Sequence, residues 1–185
     1  MRIRPATPAD TDAVFVLLDA AVAWLVDIGR EDQWGTRPWS EIPSAAERVA
    51  SRIAAGQLYL AVSEGEGGEL LGMIAYEPEP PAYIAGLWNP DEPVEPQIYI
   101  TNFVGSRAPQ GRGVGARLLD HAQTTARARG IRLLRLDCYA GGNGVLPRYY
   151  EKAGYRAVRD FTTVDADGRT WPGRLFELRL DEDGN

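Results

Sequence analysis

Between Pro109 and Gly130 the chain reads PQGRGVGARLLDHAQTTARARG, with Gly111, Gly113 and Gly115 packed into five residues ahead of a helical pattern. Glycine loses more freedom on folding than any other residue, so a run this dense marks a place where backbone is needed and side chains are not. Glycines ahead of a helix N-terminus let a ligand lie against exposed amide N–H groups whose dipoles favour an anion. A phosphate is the natural guest, and a tight turn without a ligand is the alternative. A P-loop would need Gly-Lys-Ser/Thr, whereas Val114-Gly115-Ala116 follows here. A dinucleotide fingerprint would need G-x-G-x-x-G opening a parallel unit, and the spacing here is G-x-G-x-G behind a hairpin and a long loop.

The rest of the chain alternates strands and helices. MRIRPA reads as a first strand, and Thr7, Pro8 and Asp10 as a helix start with a capping-box acid. Ala13, Val14, Leu17, Leu18, Ala21, Leu25 and Ile28 recur at helical spacing up to Gly29. Ser44 with Glu47 predicts a second capping box, for a shorter helix closed by Gly56. QLYLAVSEGEGGELLGMIAYE predicts an antiparallel hairpin. From Glu77 to Gln97 six prolines argue against helix and central strand alike, predicting a long connection. QIYITNFV is then a strand, GVGARLLDHAQTTARARG a helix, IRLLRLDCYA a strand and GVLPRYYEKAG a short helix. YRAVRDFTTV and RLFELRLDE, joined by the turn DADG, predict a closing hairpin, and the acidic tail DEDGN is expected to fray.

At 185 residues and 44% hydrophobic content, one buried core and a single domain over residues 1–185 are expected. One cysteine, Cys138, excludes an intrachain disulfide, and one histidine, His121, leaves little for a metal centre. The polar N-terminus is no signal peptide and no apolar run approaches a membrane span, so a cytoplasmic protein without a membrane partner is expected. A net charge of −6 argues against a nucleic-acid footprint.

Gln110-Gly111-Arg112-Gly113-Val114-Gly115 resembles the Q/R-x-x-G-x-G/A motif of the GNAT superfamily of N-acetyltransferases, which binds the pyrophosphate of acetyl-CoA. Asn143, followed seven residues later by Tyr150 inside NGVLPRYYEKAGY, resembles the family's N-x-x-x-x-x-x-Y-x-x-x-G-F/Y signature, and the order of elements is also the family's. The resemblance implies an α/β (α+β) GNAT fold, a mostly antiparallel central sheet splayed between its middle strands and flanked by helices. It also implies an acetyl-CoA-dependent N-acetyltransferase without a metal. Amides of Gln110, Gly111, Arg112, Gly113, Val114 and Gly115 would cradle the pyrophosphate. Phe103, Val104 and Gly105 would pair with the pantetheine amides, and Asn143 would hold the cofactor arm. Tyr150 would protonate the departing thiolate, while Tyr149 is read as structural. Arg112, with Arg107 and Arg148, would lie near the phosphates.

Histone-type members carry a glutamate early in the strand before the glycine loop, where this chain has Tyr99. An alkyl ammonium of pKa about 10.4 is only about 0.04% deprotonated at pH 7, so a proton acceptor matters. Glu77 and Glu95 are the candidates. His121, in mid-helix, is read as a helix-face residue. Asp137 and Cys138 point to opposite faces of one strand, beside the acyl site the resemblance implies. A cysteine nucleophile lacks an obvious base, which favours direct transfer.

Glu77, Glu79, Asp91, Glu92 and Glu95 give the proline-rich connection an acidic rim suited to a cationic amine, or simply a solvated loop. Trp34 and Trp39 would either wall an acceptor pocket or pack the junction of the first two helices. A small-molecule amine is the expected acceptor, with a peptide or protein amine, or a non-catalytic acyl-CoA-binding module, as alternatives. Closing strands of this superfamily commonly pair subunits, which leaves a homodimer open.

Overall fold

The computed structural model describes residues 1–65, 67–88, 91, 95–164 and 168–181. Of the sequence readings, Glu92, the first three residues of the turn DADG and the last four of the acidic tail lie outside the described residues.

Seven strands form one open sheet: β1 (Arg2–Pro5), β2 (Leu58–Val62), β3 (Leu70–Glu77), β4 (Gln97–Gly105), β5 (Leu133–Tyr139), β6 (Arg156–Val164) and β7 (Thr170–Arg179). Their spatial order is β1-β2-β3-β4-β5-β7-β6. β4 and β5 run parallel, while β1–β2, β2–β3, β5–β7 and β6–β7 are antiparallel. The helices are α1 (Thr11–Asp27), α2 (Pro43–Ala54), α3 (Ala82–Ala85), α4 (Val114–Ala128) and α5 (Val145–Lys152). No helix among the described residues is long and apolar enough to cross a membrane.

Contacts divide the chain into two compact units, Met1–Tyr76 with Asn102–His121, and Glu77–Thr101 with Ala122–Asn185. In the first, α1 buries Val14, Leu17, Leu18, Ala21, Val22 and Leu25, spaced so that one stripe faces inward. That stripe meets Val49 and Ile53 of α2 and Leu58, Leu60 and Met73 of the hairpin. Burying side chains of this size contributes about 1.5–3 kcal/mol each, which is what holds the helices on the strands. Trp34 and Trp39, 5.6 Å apart between ring centroids, pack against the same cluster, and Arg48 lies over Trp39. They fill the helix junction.

α1 starts as the residues suggest, with one difference. Pro8–Asp10 forms a 3-10 turn ahead of the helix. The Asp10 carboxylate accepts Thr7 N–H at 2.7 Å, Thr7 Oγ1–H at 2.8 Å, and both Arg4 guanidinium nitrogens at 2.7 and 2.8 Å. α2 differs more: Ile42 is its N-cap and Pro43 its first residue. Proline needs no amide partner there, so Pro43 takes over the start from the Ser44–Glu47 pair.

In the second unit β7 lies between β5 and β6, pairing Leu133–Arg179 through Tyr139–Gly173 on one side and Arg156–Glu177 through Val164–Thr170 on the other. Ile84, Tyr99 and Leu175 form a buried cluster, flanked by Leu87, Trp88 and Phe161. Ile84 belongs to α3, a single helical turn inside the segment whose prolines argued against helix. Pro81 stands at its N-cap, outside the hydrogen-bonded turn, where the missing amide costs nothing.

Candidate active site

The ladder between β4 and β5 runs from Gln97–Leu133 to Ile100–Leu136, whereas β4 continues to Gly105. Just past that ladder Asn102 adopts φ 44°, a left-handed conformation that few residues other than glycine take up. Phe103, Val104 and Gly105 follow this residue, beyond the ladder with β5. On the other side the strand is tied to β3, since Ser106 N–H donates to Leu71 O at 2.7 Å.

The glycine loop follows. Gly111 N–H donates to Ala108 O at 2.9 Å and Arg112 N–H to Pro109 O at 3.2 Å, so these two amides are spent inside a 3-10 turn. α4 then begins, with Arg117 N–H reaching Gly113 O at 3.3 Å. An α-helix leaves its first-turn N–H groups without intrahelical partners, here those of Val114, Gly115 and Ala116. The amides left for a ligand at the helix start thus run from Gly113 to Ala116, beginning three residues after Gln110, and include Ala116, which the motif did not single out. Gly113 sits at φ 78°, with no heavy atom within 4 Å of where a Cβ would be. Open space beside a helix N-terminus, free of side chains at Gly113, fits a pyrophosphate.

Arg112 is exposed beside this loop. Arg107 instead stacks on Trp24, its guanidinium carbon 3.9 Å from the ring centroid. Arg148 donates to Asn143 O at 2.6 Å. Asn143 is exposed, at φ 62° between Gly142 at φ 58° and Gly144 at φ 66°. Three consecutive left-handed residues need the sequence Gly-Asn-Gly, because asparagine is the non-glycine residue best able to adopt that conformation. They aim the chain into α5.

Tyr150, on α5, is 6% exposed and meets Tyr149, Tyr155 and Phe176 with ring centroids 5.4, 6.0 and 5.8 Å away. Burial first, then the neighbouring Cys138, Tyr149, Tyr155 and Asp137, push its phenol well above the ordinary tyrosine value. It is therefore protonated, the form a proton donor requires. Burial, reinforced by Asp137, pushes the Cys138 thiol up to about 12, so no thiolate stands ready to accept an acetyl group.

The candidate bases differ in setting. Glu95 accepts from Arg179 at 2.7 Å, and that ion pair holds its carboxyl below the usual range. Glu77 accepts Thr101 Oγ1–H at 2.9 Å. Asp137 on β5 accepts Tyr99 Oη–H at 2.8 Å on Oδ1 and Tyr83 Oη–H at 3.1 Å on Oδ2. His121 is a packing residue: Nδ1 lies 2.8 Å from Tyr76 Oη, and the ring packs against Tyr59 and Tyr76.

The sequence profile of the acetyltransferase (GNAT) family matches residues 18–155, three quarters of the chain. The chain belongs to the GNAT family. It is accordingly an N-acetyltransferase, and acetyl-CoA is the cosubstrate of its family. It is 28% identical over 176 residues to the uncharacterized N-acetyltransferase YesJ of Bacillus subtilis, covering 95% of this chain and 88% of that protein. Among solved structures, a ribosomal-protein-alanine N-acetyltransferase from Brucella melitensis matches with TM-score 0.65 and 20% identity, over 97% of this chain and 100% of that one. The acetyltransferase yncA of Salmonella typhimurium, whose structure holds acetyl-CoA, matches with TM-score 0.65 and 20% identity, over 100% and 96%. At that identity the two structures bear on the fold, and their open mixed sheet is the one found here.

Proposed function

We propose that the chain is a single-domain cytoplasmic enzyme that moves an acetyl group directly from acetyl-CoA to the primary amine of a small, cationic molecule. The observation that carries the cosubstrate assignment is the open space at Gly113 ahead of α4, where the amides of Gly113, Val114, Gly115 and Ala116 would meet the pyrophosphate, with Arg112 supplying a local cation in a chain of net charge −6. Phe103, Val104 and Gly105 would offer backbone to the pantetheine amides, and Asn143 would hold the cofactor arm. Acetyl-CoA supplies an activated thioester. Tyr150, protonated and buried, donates to the departing sulfur. Cys138 stays a neutral thiol and takes no part, which makes transfer direct.

Support for a cationic acceptor comes from Asp137 and Glu77 beside Tyr83 and Tyr99, two carboxylates among phenols with Arg135 as the neighbouring cation. A panel of an aromatic monoamine, an aliphatic diamine and an alanine-starting peptide, assayed for acetylated product by mass spectrometry, tests the acceptor class. Preference for a small amine is expected. Turnover of the peptide alone would move the acceptor to protein N-termini, and acetyl-CoA binding without turnover of any amine would favour a regulatory module.

A further inference from the structure

β4 carries Tyr99 where the histone-type relatives carry their glutamate, so the strand expected to supply an acid supplies a phenol. That phenol leads to a carboxylate one strand away. Asp137 on β5 is gripped on both oxygens, by Tyr99 at 2.8 Å and by Tyr83 at 3.1 Å. The two phenols differ. Tyr99 is fully buried in the cluster with Ile84 and Leu175, whereas Tyr83, on the one-turn α3, is 51% exposed. One oxygen is therefore held by a fully buried phenol and the other by a phenol on a half-exposed side chain.

Resting on the acetyl-transfer reading above, we propose that Asp137 is the general base that takes the proton of the acceptor amine, and that Tyr99 is the residue positioning it. Two phenol hydrogen bonds favour its ionised form, but burial outweighs them and raises the carboxyl above the ordinary aspartate value. A raised carboxylate is a better proton acceptor near neutral pH than Glu95, which Arg179 holds down. The other groups around it are Cys138 and Arg135 on its own strand, Tyr150 on α5, and Glu77, whose charge acts on Tyr83.

The protons balance. An ammonium gives its first proton to Asp137, which passes it to water. The freed lone pair forms the C–N bond to the thioester carbonyl carbon, and the C–S bond breaks. The nitrogen then loses a second proton to Asp137 while Tyr150 gives its own to sulfur; the second proton leaves Asp137 to water and one proton returns from water to Tyr150, so both groups are restored. The net change is amide, free thiol and one proton released to solvent.

Two primary amines separate a base from a structural carboxylate: benzylamine, charged at neutral pH, and trifluoroethylamine, already largely uncharged there. Asp137→Asn should lower kcat/KM for benzylamine on the order of 10²–10⁴-fold, the range for lost acid–base catalysis. It should lower it for trifluoroethylamine less than about tenfold, with acetyl-CoA affinity by calorimetry and melting temperature nearly unchanged. Tyr99→Phe, which removes a hydrogen bond to the ionised form, should shift the acid limb of the pH profile upward and lower the rate less. Equal losses for both amines, or none, would overturn the assignment. If wild-type protein binds acetyl-CoA but acetylates neither amine, the small-amine acceptor reading is what has failed. Carboxyl-resolved NMR then decides the site: an Asp137 signal that moves on adding benzylammonium upholds an amine-facing carboxylate, and an unmoved signal overturns it.

Discussion

Tyr150 meets three aromatic rings, so its ring is held by packing and phenylalanine would remove the hydroxyl while keeping those contacts. Tyr150→Phe should therefore lower kcat on the order of 10²–10⁴-fold while acetyl-CoA affinity, measured by calorimetry, stays within about twofold. Tyr149→Phe, at a half-open neighbouring position, is the matched control and should be nearly silent. A variant that lost affinity and melting temperature together would show the hydroxyl to be structural. Residue identity pointed to Tyr150, because the Asn143–Tyr150 spacing is written in the chain. The base proposed here, Asp137, was not among the sequence candidates. Sequence could place it on a strand with Cys138 facing the other way, but its setting comes from Tyr99 on β4 and Tyr83 on α3, which only the tertiary fold brings together.

Elements were the most legible level where hydrophobic period and stop residues agreed. α1, α4, α5 and both hairpins follow the apolar spacing. The misses share one cause: a local signal was overridden by another of similar size. Pro43 displaced the Ser44–Glu47 start of α2, and Pro81 at an N-cap permitted α3. The loop entering α4 was recognised, but the amides it leaves for a ligand begin at Gly113, because the 3-10 turn consumes those of Gly111 and Arg112. Gly113→Ala tests this element twice. At φ 78° an L side chain costs about 1–2 kcal/mol, lowering the melting temperature, and the added methyl projects into the open space, so CoA affinity should fall. Lower stability with unchanged affinity would remove the phosphate from this loop.

The start of α1 gives a pH prediction. Asp10, held by Arg4 first and by Thr7, has its carboxyl well below the usual aspartate range. A depressed folded-state pKa means stability that is present above the unfolded value, about 3.9, and lost as pH falls below it. Asp10→Asn should destabilise by about 1–2 kcal/mol at neutral pH, as expected for a lost cap and a partly exposed ion pair. The gap to wild type, read by urea denaturation, should narrow in acid. A gap independent of pH would mean that shape rather than charge holds this turn.

At the scale of the molecule, the resemblance implied a mostly antiparallel sheet, and the order β1-β2-β3-β4-β5-β7-β6 with β4 and β5 parallel is what the fold adds to it. What the sequence reading did not draw out is the conformational break at Asn102, since the apolar strand pattern of QIYITNFV masked the one residue in it suited to positive φ. That break leaves the end of β4 beyond the β5 ladder, where the cosubstrate arm would need backbone. The acidic balance of the chain makes binding depend on local cations and on helix amides rather than on a general field.

The account stands or falls on direct, amine-dependent transfer. Acetyl-CoA labelled in its acetyl group, mixed with the protein with and without an accepted primary amine, follows free thiol and the label together. Thiol should appear only when the amine is present, one for one with labelled amide, and no label should remain on Cys138 or elsewhere on the protein. Label held on the protein, or acetyl-CoA bound with no thiol released by any amine, would contradict it.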